Sequence, residues 1–531
     1  MDQPTVTLPE HRSAYHRTIV IGDIHGDLDI MLQSLSEKKL LHYDGDVAGV
    51  IRVLKEGLTE DHLEDLETMV IRQEPRCQLV FLGDLVDRYH HGYHAVQFLK
   101  KVRWHRFGID LIVLLGNHDL HNLQFFVNPY AAYQLYSESE HALEEVMDFI
   151  GRMGLPQSLD SFFDLHRDEI ETVQRDFYRT GRLEWPLPYG SLVLSYQRDL
   201  SLLADYRGET LEDLWTYLKR AAEAFGFSWQ PHINWMEGIN AFTDRLALYE
   251  GGQTAWNWWD IAPRLSEELT ENAFGGYDPK LRYFNIWRRD VERGGKPLPF
   301  VDVLLVDWRV ISLVWRKHYG SFFRRMKVLH LDGNNLYAHG GISPQTMVDS
   351  QGFGALYSLS RGLFLKEADE RRFGLKRTVQ RCNRLARQVM DNALNDLSFT
   401  GMCGTEIIDA IGQWRGGRRG FTEFGGFLWA DFEFLRTSVR GNQAIAQLYR
   451  EFIDASGLRR VVCGHTRFQD HGDPELRYLR IRELYDMGLD YICVDNSCSR
   501  GYRMEPVRNG IEIDADGEIL GPGKDRVQSP W

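Results

Sequence analysis

Five short apolar runs in this chain each end in a glycine-bearing word rich in carboxylate, amide or imidazole side chains. Thr18-Ile19-Val20-Ile21 leads into Gly22-Asp23-Ile24-His25-Gly26, and Gln78-Leu79-Val80-Phe81-Leu82 into Gly83-Asp84-Leu85-Val86-Asp87-Arg88. Leu111-Ile112-Val113-Leu114-Leu115 precedes Gly116-Asn117-His118-Asp119; far downstream, Asn335-Leu336-Tyr337-Ala338 precedes His339-Gly340-Gly341, and Arg460-Val461-Val462-Cys463 precedes Gly464-His465-Thr466. Apolar runs of this length, bounded by glycine and polar residues, are the pattern of buried strands. In open α/β sheets ligands bind at the carboxyl ends of the strands, so metal-type side chains at several strand ends point to an active site.

The residue types narrow the chemistry. Asp23 and His25 flank Ile24, so in an extended segment both side chains point the same way and can chelate one ion. Asp84 follows another strand and can bridge. Asn117, His339 and His465 add an amide oxygen and two imidazoles, a mixed set that suits Mn, Fe or Zn better than a calcium cage or a thiolate site. Six ligands with one shared carboxylate are too many for one ion and about right for two. Two ions roughly 4 Å apart can hold a bridging hydroxide and stabilise both ends of an in-line displacement at phosphorus.

The length, 531 residues, predicts two to four domain-sized units, or fewer with large insertions. A formal net charge of -14 repels polyanions and disfavours nucleic acid as a partner. No apolar stretch reaches the length of a membrane span, and the first residues carry neither a basic nor an apolar leader segment, which predicts a cytoplasmic protein. Six cysteines without a Cys-x-x-Cys pair argue against a structural zinc site and against a disulfide framework. Arg377, Arg381, Arg384 and Arg387 recur at helical spacing opposite Leu375, Val379, Cys382, Ala386 and Val389, the pattern of a solvated basic face.

Helical periodicity follows the first word, Leu28 to Lys38, and the first three words sit in alternating strand and helix, an α/β signature. After Asp119 the regularity stops, in a stretch too long for a loop and rich in aromatics between Trp229 and Trp259. Strands return at Lys327–Leu331, turned by Asp332-Gly333, and further strands are predicted at Tyr491–Val494 and in a hairpin of Gly510–Ile513 with Glu518–Leu520.

The five words in this order resemble the calcineurin-like metallophosphoesterases, and within them the phosphoprotein phosphatase branch and its bacterial relatives. The resemblance implies an α/β fold, a four-layer α/β/β/α sandwich of two mixed β-sheets, with a dinuclear site at the sheet edge. It covers a discontinuous catalytic domain at 14–130 and 324–520; outside the resemblance are a mainly helical insertion at 131–323, expected to be a cap that selects substrate because it leaves the core between the His118 word and His339, and a second helical insertion at 350–415. Carried over, Asp23, His25, Asp84, Asn117, His339 and His465 are metal ligands, His118 is the general acid and Asp87 its carboxylate partner. Arg88 and Asn117 match phosphate contacts; Phe427-Leu428-Trp429-Ala430-Asp431 resembles the word before the last ligand strand, and Arg440 then matches a second phosphate-binding arginine.

Two words depart from the protein phosphatases. Asp87-Arg88-Tyr89 stands for Asp-Arg-Gly, and Gly116-Asn117-His118-Asp119 ends in aspartate, as in diadenosine tetraphosphatase and other bacterial branches. The implied activity is metal-dependent hydrolysis of a phosphomonoester, on a phosphoserine or phosphothreonine protein or a small phosphorylated metabolite. Hydrolysis of a dinucleoside polyphosphate or phosphodiester stays open as the alternative, with an inactive phosphatase-like scaffold behind both; the oligomeric state stays open as well.

Overall fold

Parallel strands covered on both faces need uninterrupted apolar sequence, and this requirement explains why the strands of this chain read as runs rather than as alternation. The structure, a computed structural model, describes residues 13–55, 60–127, 161–170, 172–173, 182–187, 190–195, 308–344, 375–395, 428, 430, 432–466, 477–495, 510–520 and 524–525. In chain order the strands are β1 (Arg17–Ile21), β2 (Cys77–Phe81), β3 (Ile109–Val113), β4 (Arg182–Leu187), β5 (Gly190–Ser195), β6 (Leu329–Asp332) and β7 (Asn335–Ala338). They continue with β8 (Arg460–Cys463), β9 (Leu479–Arg480), β10 (Asp490–Cys493), β11 (Ile511–Asp514), β12 (Ile519–Leu520) and β13 (Lys524–Asp525).

One mixed sheet runs β12-β11-β1-β2-β3 and the other β13-β9-β10-β8-β7-β6. In the first, β1, β2 and β3 are parallel, with Ile19 opposite Leu79 and Leu79 opposite Leu111, while β11 joins β1 antiparallel. In the second, β7, β8 and β10 are parallel, with Val462 opposite both Tyr337 and Ile492. Strands β6 and β7 form the hairpin expected from Asp332-Gly333, with Gly333 at positive φ. The terminal hairpin β11–β12 also forms where the sequence predicts it. Strands β9 and β13 are too short to show a period and carried no such signal.

The inner faces of the two sheets meet in one core. Val20, Val80, Leu82, Leu114, Ile511 and Ile513 from the first sheet side pack with Tyr337, Val462, Ile492 and Val494 from the second. Each fully buried aliphatic side chain of this kind contributes about 1.5–3 kcal/mol, so the apolar contact dominates the sheet-to-sheet attraction. Helix Leu28–Glu37 fills the crossover after β1; the Asp27 side chain caps it at Ile30 N (3.3 Å) and Leu28, Met31, Leu32 and Leu35 form its buried stripe.

Helix Leu375–Asn395 lies against the β6 edge. Its Asn383 amide accepts from Val328 N (2.9 Å) and Leu329 N (3.1 Å) and donates to Leu329 O (2.7 Å), satisfying edge-strand groups. Val379, Cys382, Ala386 and Met390 are buried while Arg377, Arg381, Arg384 and Arg387 are exposed, the solvated basic face of the sequence pattern.

The chain divides into two compact units. The first comprises Met1–Gln124, Phe322–Asn395 and Cys403–Trp531 and holds both mixed sheets; the second comprises Phe125–Ser321 and Asp396–Met402. Within the second, β4 and β5 make an antiparallel hairpin from Arg182↔Ser195 to Leu187↔Gly190, where a mainly helical stretch was expected. The β-branched and leucine run Leu192-Val193-Leu194, preceded by Pro188 and Gly190, favours strand over helix there. The aromatic stretch Trp229–Trp259, residues 345–374 and 396–427, Trp429, Asp431 and Cys498 lie outside the described residues. Cys77, Cys382, Cys463 and Cys493 are buried free thiols, and no helix among the described residues is long and apolar enough to cross a membrane.

One polar contact ties the sheets together inside the apolar layer. His330 Nε2 on β6 donates to Gln78 Oε1 on β2 at 3.0 Å, and its ring stacks on Tyr337. Burial first, and then the nearby Lys327 charge, push the His330 imidazole down from 6.5 to about 3. The unfolded chain therefore binds a proton between those two values that the folded chain refuses, so this group's contribution is complete above about pH 6.5 and is lost as pH falls through the window. Replacing His330 with leucine is expected to flatten stability against pH between those limits by about one proton, about 1.4 kcal/mol per pH unit, in denaturant melts. An unchanged slope would place the acid sensitivity elsewhere.

Candidate metal centre

Every word of the sequence pattern leaves the carboxyl end of a parallel strand: Asp23 and His25 after β1, Asp84 after β2, Asn117 after β3, His339 after β7 and His465 after β8. The backbone turns sharply at these points. Of six non-glycine residues with positive φ among the described residues, five are His25 (41°), Asp84 (50°), Asp87 (87°), Arg88 (53°) and His465 (65°). Such conformations cost of order 1–3 kcal/mol each and persist only where the surroundings over-determine them. Gly83 is required by proximity as well as by its φ of 113°, because a Cβ there would sit 2.6 Å from Gly116 N.

A hydrogen-bond lattice joins the loops. His25 N donates to Asp84 O (2.8 Å), Gly464 N to His339 O (2.8 Å) and His465 N to Asp23 Oδ2 (2.9 Å). His118 N donates to Asp84 Oδ1 at 2.9 Å. Asp119 is the knot: its Oδ1 accepts from Leu85 N (2.9 Å) and Val86 N (3.4 Å) and its Oδ2 from Gly116 N (3.0 Å), binding the second word to the third.

The side chains fall into two clusters that share Asp84. In one, Asp87 faces two imidazoles, with Oδ1 at His25 Nδ1 (2.8 Å) and Oδ2 at His118 Nδ1. His25 then presents Nε2 toward Asp84 Oδ2 at 3.7 Å. In the other, His339 donates from Nδ1 to Leu82 O (3.0 Å) and turns Nε2 to Asn117 Oδ1 (2.8 Å) and Asp84 Oδ2 (3.5 Å). His465 Nδ1 reaches the same Asn117 oxygen at 3.2 Å. Imidazoles whose far nitrogen is held by a carboxylate or carbonyl are the usual setting of metal-binding histidines.

The electrostatics favour cations. Burial, then Asp495 and Asp84, push the Asp23 carboxyl well above its usual range; burial, then Asp119, does the same to Asp84. Asp119 itself is pushed up to about 6 by burial, against the amides that favour its charge. Burial drives His25, His118 and His339 the other way, toward neutral rings with lone pairs. Desolvated carboxylates crowded with neutral imidazoles are relieved by a bound dication, which fits this donor set to metal. His25, Asp84 and His118 converge closely enough to hold an ion, as do Asp84, His339 and His465. His118 is better placed outside the ligand set, since its Nδ1 is on Asp87 and Arg88 Nη2 stands 3.2 Å from its Nε2, where a guanidinium would repel a metal.

Residues 16–209 match the family model of the calcineurin-like phosphoesterases. Over that stretch the chain is similar to the calcineurin-like phosphoesterases. The matched stretch holds the first three words of the phosphoesterase pattern, and His339 and His465 lie beyond it. No curated protein matches the chain. Among solved structures, a cold-active protein-tyrosine phosphatase of a psychrophile, Shewanella sp., is similar at 12% identity, covering 97% of this chain and 83% of that one, with a TM-score of 0.33. A point mutant of a cold-active protein tyrosine phosphatase matches at 11% identity over 97% and 83%, with a TM-score of 0.34.

The structure brings Asp23, His25, Asp84, Asp87, Arg88, Asn117, His118, His339 and His465 together. Arg440 is an exposed residue in the last turn of helix Phe432–Gly441. Asp119 and Asp495 are additions. Asp495 is wholly buried two residues past β10, a parallel strand, and raises the Asp23 and Asp84 carboxyls. Its signal was present, an acidic residue directly after the apolar run Tyr491–Val494, in the same pattern as the ligand words.

Asp119 should be structural for the site rather than chemical. Asp119→Ala leaves Leu85, Val86 and Gly116 amides buried without their acceptor and is expected to cost about 1–3 kcal/mol in melts. Metal affinity, read by isothermal titration, is expected to fall with it because the Asp84 and Asn117 loops lose their common anchor.

Proposed function

We propose that this chain hydrolyses phosphomonoesters at a two-ion centre, using His118 to protonate the leaving oxygen. The observation that carries the reading is the contact chain Asp87–His118–Arg88, which sets a positioned imidazole and a guanidinium side by side at the edge of the metal-type cluster. Asp23, His25 and Asp84 would hold one ion, and Asp84, Asn117, His339 and His465 the other. When bound, such ions neutralise the buried carboxylates and supply Lewis-acid stabilisation to phosphoryl and nucleophile oxygens.

The protein's own groups divide the remaining work. Asp87 accepts from His118 Nδ1–H, which fixes the tautomer and directs Nε2 outward toward Arg88. Arg88 offers a planar fork to the non-bridging phosphate oxygens, a geometry that a lysine point charge lacks. Burial, followed by His121 and His465, keeps His118 below its ordinary range in the ligand-free protein. The negative charge of a phosphate drawn in by Arg88 then favours the protonated ring, so the acid is armed as substrate binds. Transfer from Nε2 to the ester oxygen leaves His118 neutral, again held by Asp87.

His118→Asn is expected to retain metal by elemental analysis while kcat falls on the order of 10²–10⁴. The loss should be larger for serine-type than for nitrophenyl leaving groups; equal losses would remove the acid role. Arg88→Lys is expected to stay folded and metal-loaded but to lose kcat/KM, and wild-type turnover in that variant would place the phosphate elsewhere. With Mn²⁺, a panel of p-nitrophenyl phosphate, phosphopeptides, small phosphorylated metabolites and diadenosine tetraphosphate assigns the substrate class from the products. Cleavage of diadenosine tetraphosphate alone would overturn the monoester reading and keep the metal centre.

A further inference from the structure

The second compact unit holds a cluster with no counterpart in the sequence pattern. His166 and Glu169 lie one turn apart in helical residues 161–170, and His318 lies in the π-helical turn Arg316–Gly320. His318 Nε2 meets Glu169 Oε2 at 2.6 Å across 149 positions of chain, and His166 Nδ1 stands 4.0 Å from the same oxygen. The two imidazoles stack with centroids 4.1 Å apart and planes at 27°. One ligand atom from each of the three residues can be chosen so that all lie within 4.8 Å of one another.

Five features make this a donor set rather than an ordinary ion pair. His166 Nε2 is held by Tyr319 Oη at 2.7 Å, so that with Nε2 as the donor the Nδ1 lone pair faces Glu169. Apolar rings wall the buried side: Phe162 lies 5.2 Å from His166 and 5.0 Å from Phe126, which stacks on Trp315. His166 is 6% exposed while Glu169 and His318 are 27% and 24% exposed, which leaves a side open to incoming solutes. A π-helical turn is rare and is found disproportionately at functional sites. Burial opposes the Glu169 charge, yet hydrogen bonds from His318 and Lys317 hold its carboxyl at about 2, so it is an anionic ligand at neutral pH.

We propose that His166, Glu169 and His318 bind a zinc-type divalent ion that staples helical residues 161–170 to the turn Arg316–Gly320. Two imidazoles and one carboxylate with an open fourth position form an established zinc donor set, and it needs no thiolate. Loading replaces the His318–Glu169 hydrogen bond, His318 binding through Nε2 as a neutral ring. The closest donor pair must then part to about 3.3 Å, the spacing of tetrahedral ligands at bonds of about 2.0–2.1 Å. Lys317, on the other Glu169 oxygen, stays as its outer hydrogen bond.

The test uses the full chain carrying Asp23→Asn and Asp84→Asn, which removes the phosphoesterase centre as a zinc site. Zinc loading, gel filtration and elemental analysis are expected to leave one zinc per chain, and adding Glu169→Gln or His318→Phe to leave none. His318→Cys, which keeps a zinc donor, is expected to restore the ion. Cobalt in its place is expected to give the strong visible absorption of a four-coordinate site, lost with Glu169→Gln. No bound zinc in this background, or a zinc count indifferent to both Glu169→Gln and His318→Phe, overturns the proposal. Should the background fail to fold, the same subtraction on the otherwise wild-type chain decides it: one zinc fewer with Glu169→Gln supports the site, and an unchanged count overturns it.

Discussion

The apolar contact between the two mixed sheets is the interaction on which the rest depends. Asp23, His25, Asp84 and Asn117 come from the end of one sheet and His339 and His465 from the end of the other, so sheet packing sets the distances among them. The layer of Val20, Val80, Leu82, Leu114, Tyr337, Val462 and Ile492 is fully buried, and close-packed interiors leave little freedom for one sheet to slide on the other. Polar ties then fix the register at the edge, with His339 Nδ1 on Leu82 O and His465 N on Asp23 Oδ2 each crossing between sheets.

That rigidity permits an arrangement that opposes folding locally. Asp23, Asp84, Asp119 and Asp495 are buried together, and five non-glycine residues of the loops occupy left-handed backbone conformations. Each is unfavourable alone, and together they are the signature of a site held ready for a charged ligand. Asp119 shows how the scaffold holds it: one carboxylate takes three backbone amides from two words and stops the glycine-rich loops from relaxing. The residues that do chemistry are therefore positioned by residues that do none.

The two donor sets differ in how they are assembled. The phosphoesterase centre collects words that each follow a parallel strand, so its composition is written locally. The His166–Glu169–His318 set depends on a helix and a π-helical turn meeting across 149 positions, and neither segment alone carries a metal-type spacing beyond His-x-x-Glu.

The strands of both sheets other than β9 and β13, the two hairpins at Asp332-Gly333 and Asp514–Gly517, and the identities of the clustered side chains were legible in sequence, because apolar runs and turn residues act over a few positions. The exposed arginine stripe of helix Leu375–Asn395 was legible for the same reason. The hairpin β4–β5, the short strands β9 and β13 and the burial of Asp495 were not. Sequence by itself determined which side chains stand at strand ends. Only the tertiary structure decided which of them meet, that Asp87 serves His25 and His118 at once, and that Arg88 faces His118 Nε2, because distances between words far apart in sequence are set by strand pairing within a sheet and by the packing of one sheet on the other, and by no local rule.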